Sequence, residues 1–275
     1  MTKTQITLNT AALYLACGLK PGSIFIQSQV HEHTELSWLL SCHTPMGWLS
    51  RMTQFKEKAE HQEKAMLGLF SYPVLMAADV LLYDVTHVPV GEDQKQHVEL
   101  IRDIALSMNH KYGQDLFVIP EPLIQKMGAR IMSLRHADEK MGKSNTSDYE
   151  RINLLDTNDL IAEKIKKATT DSYPMPLALQ ELEARQSIKN LLTIYALCAQ
   201  KTLEESLELF SGQGLGAFKS ALTDVVIHTV APIREKALSY QEDENYLLEI
   251  LKLGQEKAQK KAQVTLRRVK DFLRL

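Results

Sequence analysis

The sequence predicts a doubly wound α/β domain with a parallel sheet, followed by an all-α domain. Up to about residue 119, segments with helical spacing of apolar residues alternate with short runs of branched and aromatic residues. That alternation is typical of a sheet covered by helices on both faces. From residue 156 onward the periodic segments all have helical spacing, with no strand-like run between them. With 275 residues, 44% of them hydrophobic, the chain can bury a substantial core.

The first part opens with a helix instead of a strand. Helical spacing predicts helices over 7–18, 32–42, 52–69 and 73–83, and one starting at 94. Strand-like runs lie at 23–27, 87–90, 116–119 and 129–134. Because α/β nucleotide-binding domains usually open with a strand and a glycine-rich turn, we expect a missing segment upstream of Met1.

The second part is predicted to be helical throughout, over 156–169, 188–200, 203–210, 217–238 and 245–273. The net charge of the whole chain is −2, but residues 252–275 carry eight Lys and Arg against two acidic residues. The basic stretch from Lys257 to Lys270 either faces a phosphate backbone or is a solvated helix face.

Several classes of protein are disfavoured by composition. The three cysteines are far apart, which argues against a disulfide framework and fits a reducing cytoplasm. No apolar run approaches the roughly 20 residues that a membrane helix needs, and the N-terminus lacks a secretory pattern. His31, His33, Cys42 and His43 lack the spacing of metal ligands, so we interpret them as a solvated loop and helix start.

One carboxylate is predicted to lie where water is absent. Asp79 lies in the middle of the apolar helix predicted over 73–83, between Ala77, Ala78, Val80 and Leu81. A carboxylate without water or a partner is costly, so we expect either a functional role or a structural one, such as a cap or a pair with a buried arginine. The strand that follows ends at Gly91, where the backbone can approach a ligand or make a tight turn.

A second candidate is the loop segment Lys140-Met141-Gly142-Lys143-Ser144. Two ammonium groups and a hydroxyl on a loop that contains glycine can fold over a polyphosphate. The segment does not have the spacing of a Walker loop. Taken alone it is also compatible with a solvated charge cluster.

The order of these motifs resembles the tryptophanyl-tRNA synthetase family of the bacterial or organellar kind. The segment 68–100 carries the family-specific GEDQKQHVEL, which separates it from the tyrosine enzymes. Further matching segments are AALYLACGL (11–19), IFIQSQV (24–30), MGWLSRMTQFKEKA (46–59), GARIMSL (128–134), KMGKS (140–144), RINLLD (151–156), NLLTIY (190–195) and TLRRV (265–269).

This resemblance implies a role for each candidate residue. Asp79 would accept the indole N–H of tryptophan, in a pocket shaped by Tyr72, Met76, Val88, Val90 and Gln94. ATP would contact Gly91, Glu92, Asp93, Ile131 and the loop Lys140, Met141, Gly142, Lys143 and Ser144. Lys140, Lys143 and Ser144 would be catalytic, with the lysines holding pyrophosphate while the tryptophan carboxylate attacks the α-phosphorus. ATP with Mg²⁺ is the expected substrate, with no resident metal or prosthetic group.

The chain also departs from the family pattern. The first strand and the HIGH-like signature, which cradles ATP at a helix N-terminus, have no match, and Gly142 and Asn145 replace the family's Ser and Asp. We therefore expect impaired adenylate formation. The chain is either a fragment of a working tryptophan-tRNA ligase or an impaired paralogue that keeps tryptophan or tRNA binding; the loop substitutions favour the paralogue slightly. A regulatory module that borrows the fold is a third hypothesis, disfavoured by GEDQKQHVEL with Asp79.

The resemblance also implies domains and partners. A Rossmann-like catalytic domain, incomplete at its N-terminus, would span 1–152, a helical anticodon-binding-like domain 153–240, and a basic helix 241–275. The expected partners are tRNA(Trp), L-tryptophan, ATP and a second copy of the chain in a homodimer, in the cytoplasm and with no membrane.

Overall fold

The computed structural model describes residues 2–58, 66–112, 115–124, 130–142 and 145–275. The chain divides into two compact units. We call one the sheet unit, which comprises Leu19–Ile124 and Leu248–Leu275, and the other the helical unit, which comprises Met1–Gly18 and Gln125–Leu247. The predicted domain boundaries at 152 and 240 describe functional domains and stay a prediction.

The sheet unit combines helices with a small parallel sheet. Its elements are α2 (Glu32–Ser41), α3 (Met46–Ser50), α4 (Thr53–Lys58), α5 (Leu67–Leu81), β1 (His87–Pro89), α6 (Lys95–Tyr112), β2 (Glu121–Leu123) and the part of α11 (Glu244–Leu273) from Leu248 onward. The predicted continuous helix over 52–69 is wrong at its end, because Met66 is extended and caps a new helix. Residues 59–65 of that prediction lie outside the described residues.

The sheet consists of β1 and β2, which run parallel with Val88 opposite Pro122. The hydrogen bonds lie on either side of that pair: Glu121 N–H donates to Thr86 O at 2.9 Å and Val90 N–H to Leu123 O at 3.2 Å. Pro122 therefore needs no N–H toward β1, since alternate residues of a strand face the same neighbour. The predicted strand at 87–90 is confirmed, and the α/β class with it.

The core of the sheet unit forms around α5. Val74, Ala77, Ala78 and Leu81 are buried along one face of this helix and pack in a cluster with apolar residues of α2, α6 and α11. Residue 254 of α11 must be glycine, because a Cβ built there would lie 1.9 Å from Ile24 O. This close approach seats α11 against the segment that precedes α2.

The helical unit contains α1 (Lys3–Ala16), α7 (Asn158–Lys166), α8 (Gln186–Ala199), α9 (Leu203–Phe210), α10 (Leu215–Gln241) and the start of α11. These bounds follow the predicted helices closely because the apolar residues repeat at helical spacing. Thr157 is the N-cap of α7, where its Oγ1 accepts from Leu160 N–H at 3.3 Å. A second apolar core lies here, with Ile161, Ile188, Leu192 and Phe218 fully buried.

Two predicted strands are wrong for a shared reason, which is an asparagine side chain that takes the place of a neighbouring strand. At 116–119, Asn109 accepts from Phe117 N–H and donates to Phe117 O, both at 2.9 Å. At 130–134, Asn190 accepts from Met132 N–H at 2.9 Å and donates to Met132 O at 2.8 Å. An amide satisfies both main-chain groups at once. Phe117 therefore needs no strand partner, and among the described residues the run at 130–134 pairs locally, through a single antiparallel bridge between Met132 and Lys140.

The predicted strand at 23–27 is also wrong. Ile26 is extended, with φ −87° and ψ 113°, but the chain then turns into a 3-10 helix at Gln27–Gln29. No strand pairs with this run among the described residues. An extended backbone becomes a strand only when a neighbour supplies its hydrogen bonds.

Candidate functional site

Four side chains of the candidate site lie along one face of α5 and of the turn that follows it. Tyr72, Met76, Asp79 and Tyr83 follow one another at intervals of four, three and four residues, which places them on one stripe of a helix. Tyr83 lies in the turn just after the helix ends at Leu81. This stripe lies beside the buried face of α5, so its side chains lie at the edge of the apolar core.

Asp79 receives two donors on a single oxygen. His33 Nδ1 lies 2.6 Å from Asp79 Oδ1, and Gln27 Nε2 donates to the same oxygen at 3.0 Å. Within the described part of the chain, Asp79 Oδ2 has no hydrogen-bond donor. One oxygen of the carboxylate is therefore held, and the other remains open to a further donor.

The prediction that Asp79 is shielded from water is wrong, because its side chain is 38% exposed. Ala77 and Ala78 beside it are fully buried, but Asp79 lies on the border of the core. Its partner is His33, which is 2% exposed, and not a buried arginine. His33 lies at the start of α2, as predicted, but the expectation that it is solvated is wrong, because it is packed beneath Asp79.

His33 lies in a cluster of three rings. Its ring centroid is 5.8 Å from that of Phe25 and 5.5 Å from that of Tyr83. Its Nε2 is 2.7 Å from the hydroxyl of Tyr83. Burial raises the pKa of Tyr83, as do the charges of Asp79 and Glu32, so its hydroxyl keeps the proton. The chain of contacts runs from Tyr83 through His33 to Asp79.

A second polar cluster surrounds Tyr72, about two turns away from Asp79 on the same helix. The hydroxyl of Tyr72 donates to Gln54 Oε1 at 3.0 Å and lies 2.9 Å from His97 Nε2. Burial raises the pKa of Tyr72. These contacts tie α5 to α4 and α6, since Gln54 lies on α4 and His97 on α6.

The strand β1 leads directly into the GEDQ turn. Val88 and Val90 are partly buried and Gly91 is extended, with φ −73°, so the glycine is not needed for a left-handed turn. A Cβ at Gly91 would lie 2.8 Å from Asp93 Oδ1. Gly91 thus leaves room for the Asp93 carboxylate, whose other oxygen accepts from Gln94 Nε2 at 2.9 Å.

One open pocket of about 520 Å³ includes two of the predicted site residues. Its lining includes Gln54, Glu92, Asp93, Gln96 and His97. The predicted ATP residues Glu92 and Asp93 therefore share a pocket with both hydrogen-bond partners of Tyr72.

The remaining predicted residues lie in the helical unit. Met132 and Lys140 form an antiparallel bridge, and Met141 N–H donates to Ile131 O at 2.9 Å. Ile131 and Met141 pack on the helical core, whereas Lys140 is exposed and Gly142 partly buried. Lys143 and Ser144 lie outside the described residues. The predicted loop thus starts from a hairpin whose first strand is held by Asn190.

The segment after the loop is anchored by a buried lysine. Lys164 is fully buried, and its Nζ lies 2.6 Å from both Asp148 Oδ2 and Asp156 Oδ2. Hydrogen bonds from Lys164 and Asn153 hold the pKa of Asp148 below its usual range. Asn145, just past the loop, is held at its carbonyl by Arg151 Nη1 at 3.2 Å.

Sequence reasoning missed Gln27, His33 and Tyr83. Gln27 lies in the IFIQSQV segment, but no spacing in the sequence connects it or His33 with Asp79, which is 46 residues beyond His33. The described residues hold no group of three or more His, Cys, Asp or Glu arranged for a metal ion. None of the helices described is long and apolar enough to cross a bilayer.

Comparisons with known proteins agree with this architecture. The family model for tRNA synthetases class I (W and Y) matches residues 1–231. The tryptophan-tRNA ligases of Rickettsia conorii and Caulobacter vibrioides are 52% identical over 267 residues and 51% over 273. These alignments cover 96% and 98% of this chain, and 80% and 79% of the relatives.

Solved structures give the same result. The tryptophanyl-tRNA synthetase of Mycoplasma pneumoniae is 31% identical, with a TM-score of 0.85 over 98% of this chain and 81% of that one. The Campylobacter jejuni enzyme, complexed with ADP and tryptophan, is 35% identical, with a TM-score of 0.76 over 98% and 82%. With a family model that matches most of its length and relatives at half identity, the chain belongs to the class I tRNA synthetases of the tryptophan and tyrosine group.

Proposed function

We propose that this chain is a tryptophan-tRNA ligase, which activates L-tryptophan with ATP and transfers it to tRNA(Trp). The observation that carries the proposal is the state of Asp79, with Oδ1 held by two donors and Oδ2 open. An open carboxylate oxygen suits a ligand that brings one N–H donor on an apolar ring, as an indole does. The relatives at half identity are tryptophan-tRNA ligases, which supports the same substrate.

Asp79 supplies the selectivity in this proposal. A site that hydrogen-bonds a substrate N–H rejects analogues without it more strongly than an apolar pocket does, by about 10⁴-fold in the best cases. Met76 lies one turn before Asp79 on the same stripe of α5, and Tyr72 one turn before Met76. With Val88, Val90 and Gln94 they form the remaining walls of the tryptophan pocket.

ATP occupies the second half of the proposed site. Gly91, Glu92 and Asp93 meet its ribose, and Ile131 offers its backbone to the adenine. Lys140, Lys143 and Ser144, with Met141 and Gly142, stabilise the negative charge of the pyrophosphate as it leaves. Mg²⁺ accompanies ATP as part of the substrate and neutralises its phosphates.

The proposed setting is a homodimer in the cytoplasm, with tRNA as the macromolecular partner. Trp38 and Met46 of the sheet unit are 71% and 72% exposed. Large exposed apolar side chains support a protein interface. The basic face of α11 is the candidate for contact with the tRNA backbone.

The amino-acid assignment is tested by calorimetry of tryptophan binding to the intact chain and to Asp79→Ala. Loss of a hydrogen bond to a charged group costs about 1.5–3 kcal/mol, so affinity should fall between about tenfold and a hundredfold. Asp103→Ala on the exposed side of α6 is the matched control and should bind tryptophan as the parent does. Unchanged affinity in Asp79→Ala would overturn the indole assignment.

The activation step is tested by tryptophan-dependent exchange of labelled pyrophosphate into ATP. Exchange that is lost in Lys140→Ala supports a working ligase. Tryptophan binding without any exchange would overturn the ligase activity and leave a tryptophan-binding paralogue.

A further inference from the structure

We propose that His33 is the positioning residue for Asp79: it holds Oδ1 so that Oδ2 is presented to the indole N–H. This inference rests on the proposed function of Asp79 and extends it to a second residue. His33 does not touch the substrate in this scheme. It acts through the carboxylate, and its effect is on selectivity for the N–H.

The hydrogen-bond inventory fixes the direction of each contact. An ionised carboxylate only accepts, so the proton between His33 Nδ1 and Asp79 Oδ1 belongs to the ring nitrogen. In the neutral ring Nε2 is then the acceptor for the hydroxyl of Tyr83, 2.7 Å away. Asp79 thus selects the tautomer that donates to it, and Tyr83, whose hydroxyl can donate or accept, holds the other side of the ring.

The surroundings of His33 make it a rigid support. Its side chain is 2% exposed, and the rings of Phe25 and Tyr83 lie against it with centroid distances of 5.8 and 5.5 Å. Phe25 follows Ile24, whose carbonyl is in close contact with Gly254 of α11. The donor is therefore held by packing on several sides, whereas the carboxylate it holds is 38% exposed.

An exposed carboxylate needs such a support in order to discriminate. Without one, a half-exposed Asp side chain turns between rotamers and satisfies both oxygens with water. Gln27 also donates to Oδ1, at 3.0 Å, but it lies in a partly exposed 3-10 turn. A site must hold its recognising group within a fraction of an ångström, which requires supporting hydrogen bonds behind that group.

The test compares tryptophan with benzothienylalanine, in which a sulfur atom replaces the indole N–H. Calorimetry gives the dissociation constant of benzothienylalanine divided by that of tryptophan. This ratio is measured for the intact chain, His33→Gln and His33→Asn. The amide of Asn reaches the position of Nδ1 and can still donate to Asp79, whereas the amide of Gln reaches the position of Nε2. We expect His33→Gln to lower the ratio about tenfold, and His33→Asn to keep it within about threefold.

His43→Gln is the matched control, since His43 also pairs with a tyrosine hydroxyl, at 3.3 Å from Tyr112, but its other ring nitrogen lies 3.0 Å from Lys111 Nζ and not beside a carboxylate. It should leave the ratio unchanged. Equal weakening of both ligands in His33→Gln, with an unchanged ratio, would overturn the positioning role and leave a structural one. A parent chain that binds both ligands equally would instead overturn the proposed function of Asp79.

If the His33 variants do not fold, Tyr83→Phe provides a second test. It removes the hydroxyl that contacts Nε2 and leaves the packing of the rings. Circular dichroism checks that each variant is folded. Tyr83→Phe should lower the ratio about threefold, because the ring loses the hydrogen bond at Nε2 and Nδ1 is held less firmly against Asp79. A ratio unchanged in this folded variant would contradict the inference.

Discussion

Replacing Lys164 with methionine removes the ammonium group that joins Asp148 and Asp156, and we expect it to destabilise the helical unit by about 3 kcal/mol. Lys164 is fully buried and lies 2.6 Å from both carboxylates. Removing one partner of a buried ion pair costs about 3–5 kcal/mol, since a buried charge is left uncompensated. The full penalty applies only to Asp156, which is 6% exposed. Asp148 is 48% exposed, so water can solvate its charge once the ammonium group is gone.

The lower end of the range is expected because Asp156 keeps other donors. Asn153 donates to it through its backbone N–H at 2.9 Å and through Nδ2 at 3.2 Å. At roughly 2–4 °C per kcal/mol, the melting temperature should fall by roughly 6–12 °C. Urea unfolding followed by circular dichroism measures the free energy directly.

Lys167→Met is the matched control on the same stretch of chain. Its ammonium pairs with Glu163 at 2.6 Å, but its side chain is 47% exposed. A surface pair of this kind is screened by solvent and contributes little to stability. If Lys164→Met lowers the free energy of unfolding no more than Lys167→Met does, the reasoning is refuted. The double variant Lys164→Met/Asp156→Asn should regain part of the lost stability, because it also removes the buried charge. A double variant no more stable than Lys164→Met would refute the reasoning as well.

Two further predictions concern local packing and charge. Gly254→Ala should destabilise the sheet unit by about 2 kcal/mol or more in urea unfolding, because its Cβ would lie 1.9 Å from Ile24 O, whereas Gly68→Ala on α5, with nothing within 4 Å, should be neutral or slightly stabilising. Arg185 donates two hydrogen bonds of 2.7 Å to Asp171 and lowers the pKa of that carboxyl. The stabilisation is therefore present above the unfolded pKa of about 3.9 and is lost as pH falls through the lower folded value. The unfolding free energies of the parent and Arg185→Ala should differ at neutral pH and converge in acid; a difference that persists in acid would contradict the assignment to Asp171.

Arg185 also makes a contact that the sequence does not indicate. In the structure, Arg185 Nη1 donates to Pro174 O at 2.8 Å. The side chain thus fastens the start of α8 to the preceding loop, and no periodic pattern could reveal that contact.

The helices could be predicted from the sequence because their signal is local. Apolar residues three and four positions apart define a buried face wherever that face finally packs. The predicted helix over 203–210 has the same bounds as α9. The strands were harder, because an apolar run becomes a strand only if another strand lies beside it. Asn109 and Asn190 supply those hydrogen bonds instead, from 8 and 58 residues away.

The sequence by itself determined the fold class, the family and the single carboxylate on which selectivity is proposed to depend. These follow from residue order, which is complete in the sequence. The tertiary structure decided the environment of that carboxylate: Asp79 is partly exposed, and its support comes from His33 and Gln27, 46 and 52 residues away. Hydrogen bonding acts over a few ångströms of space, so only the folded chain could place the three side chains together.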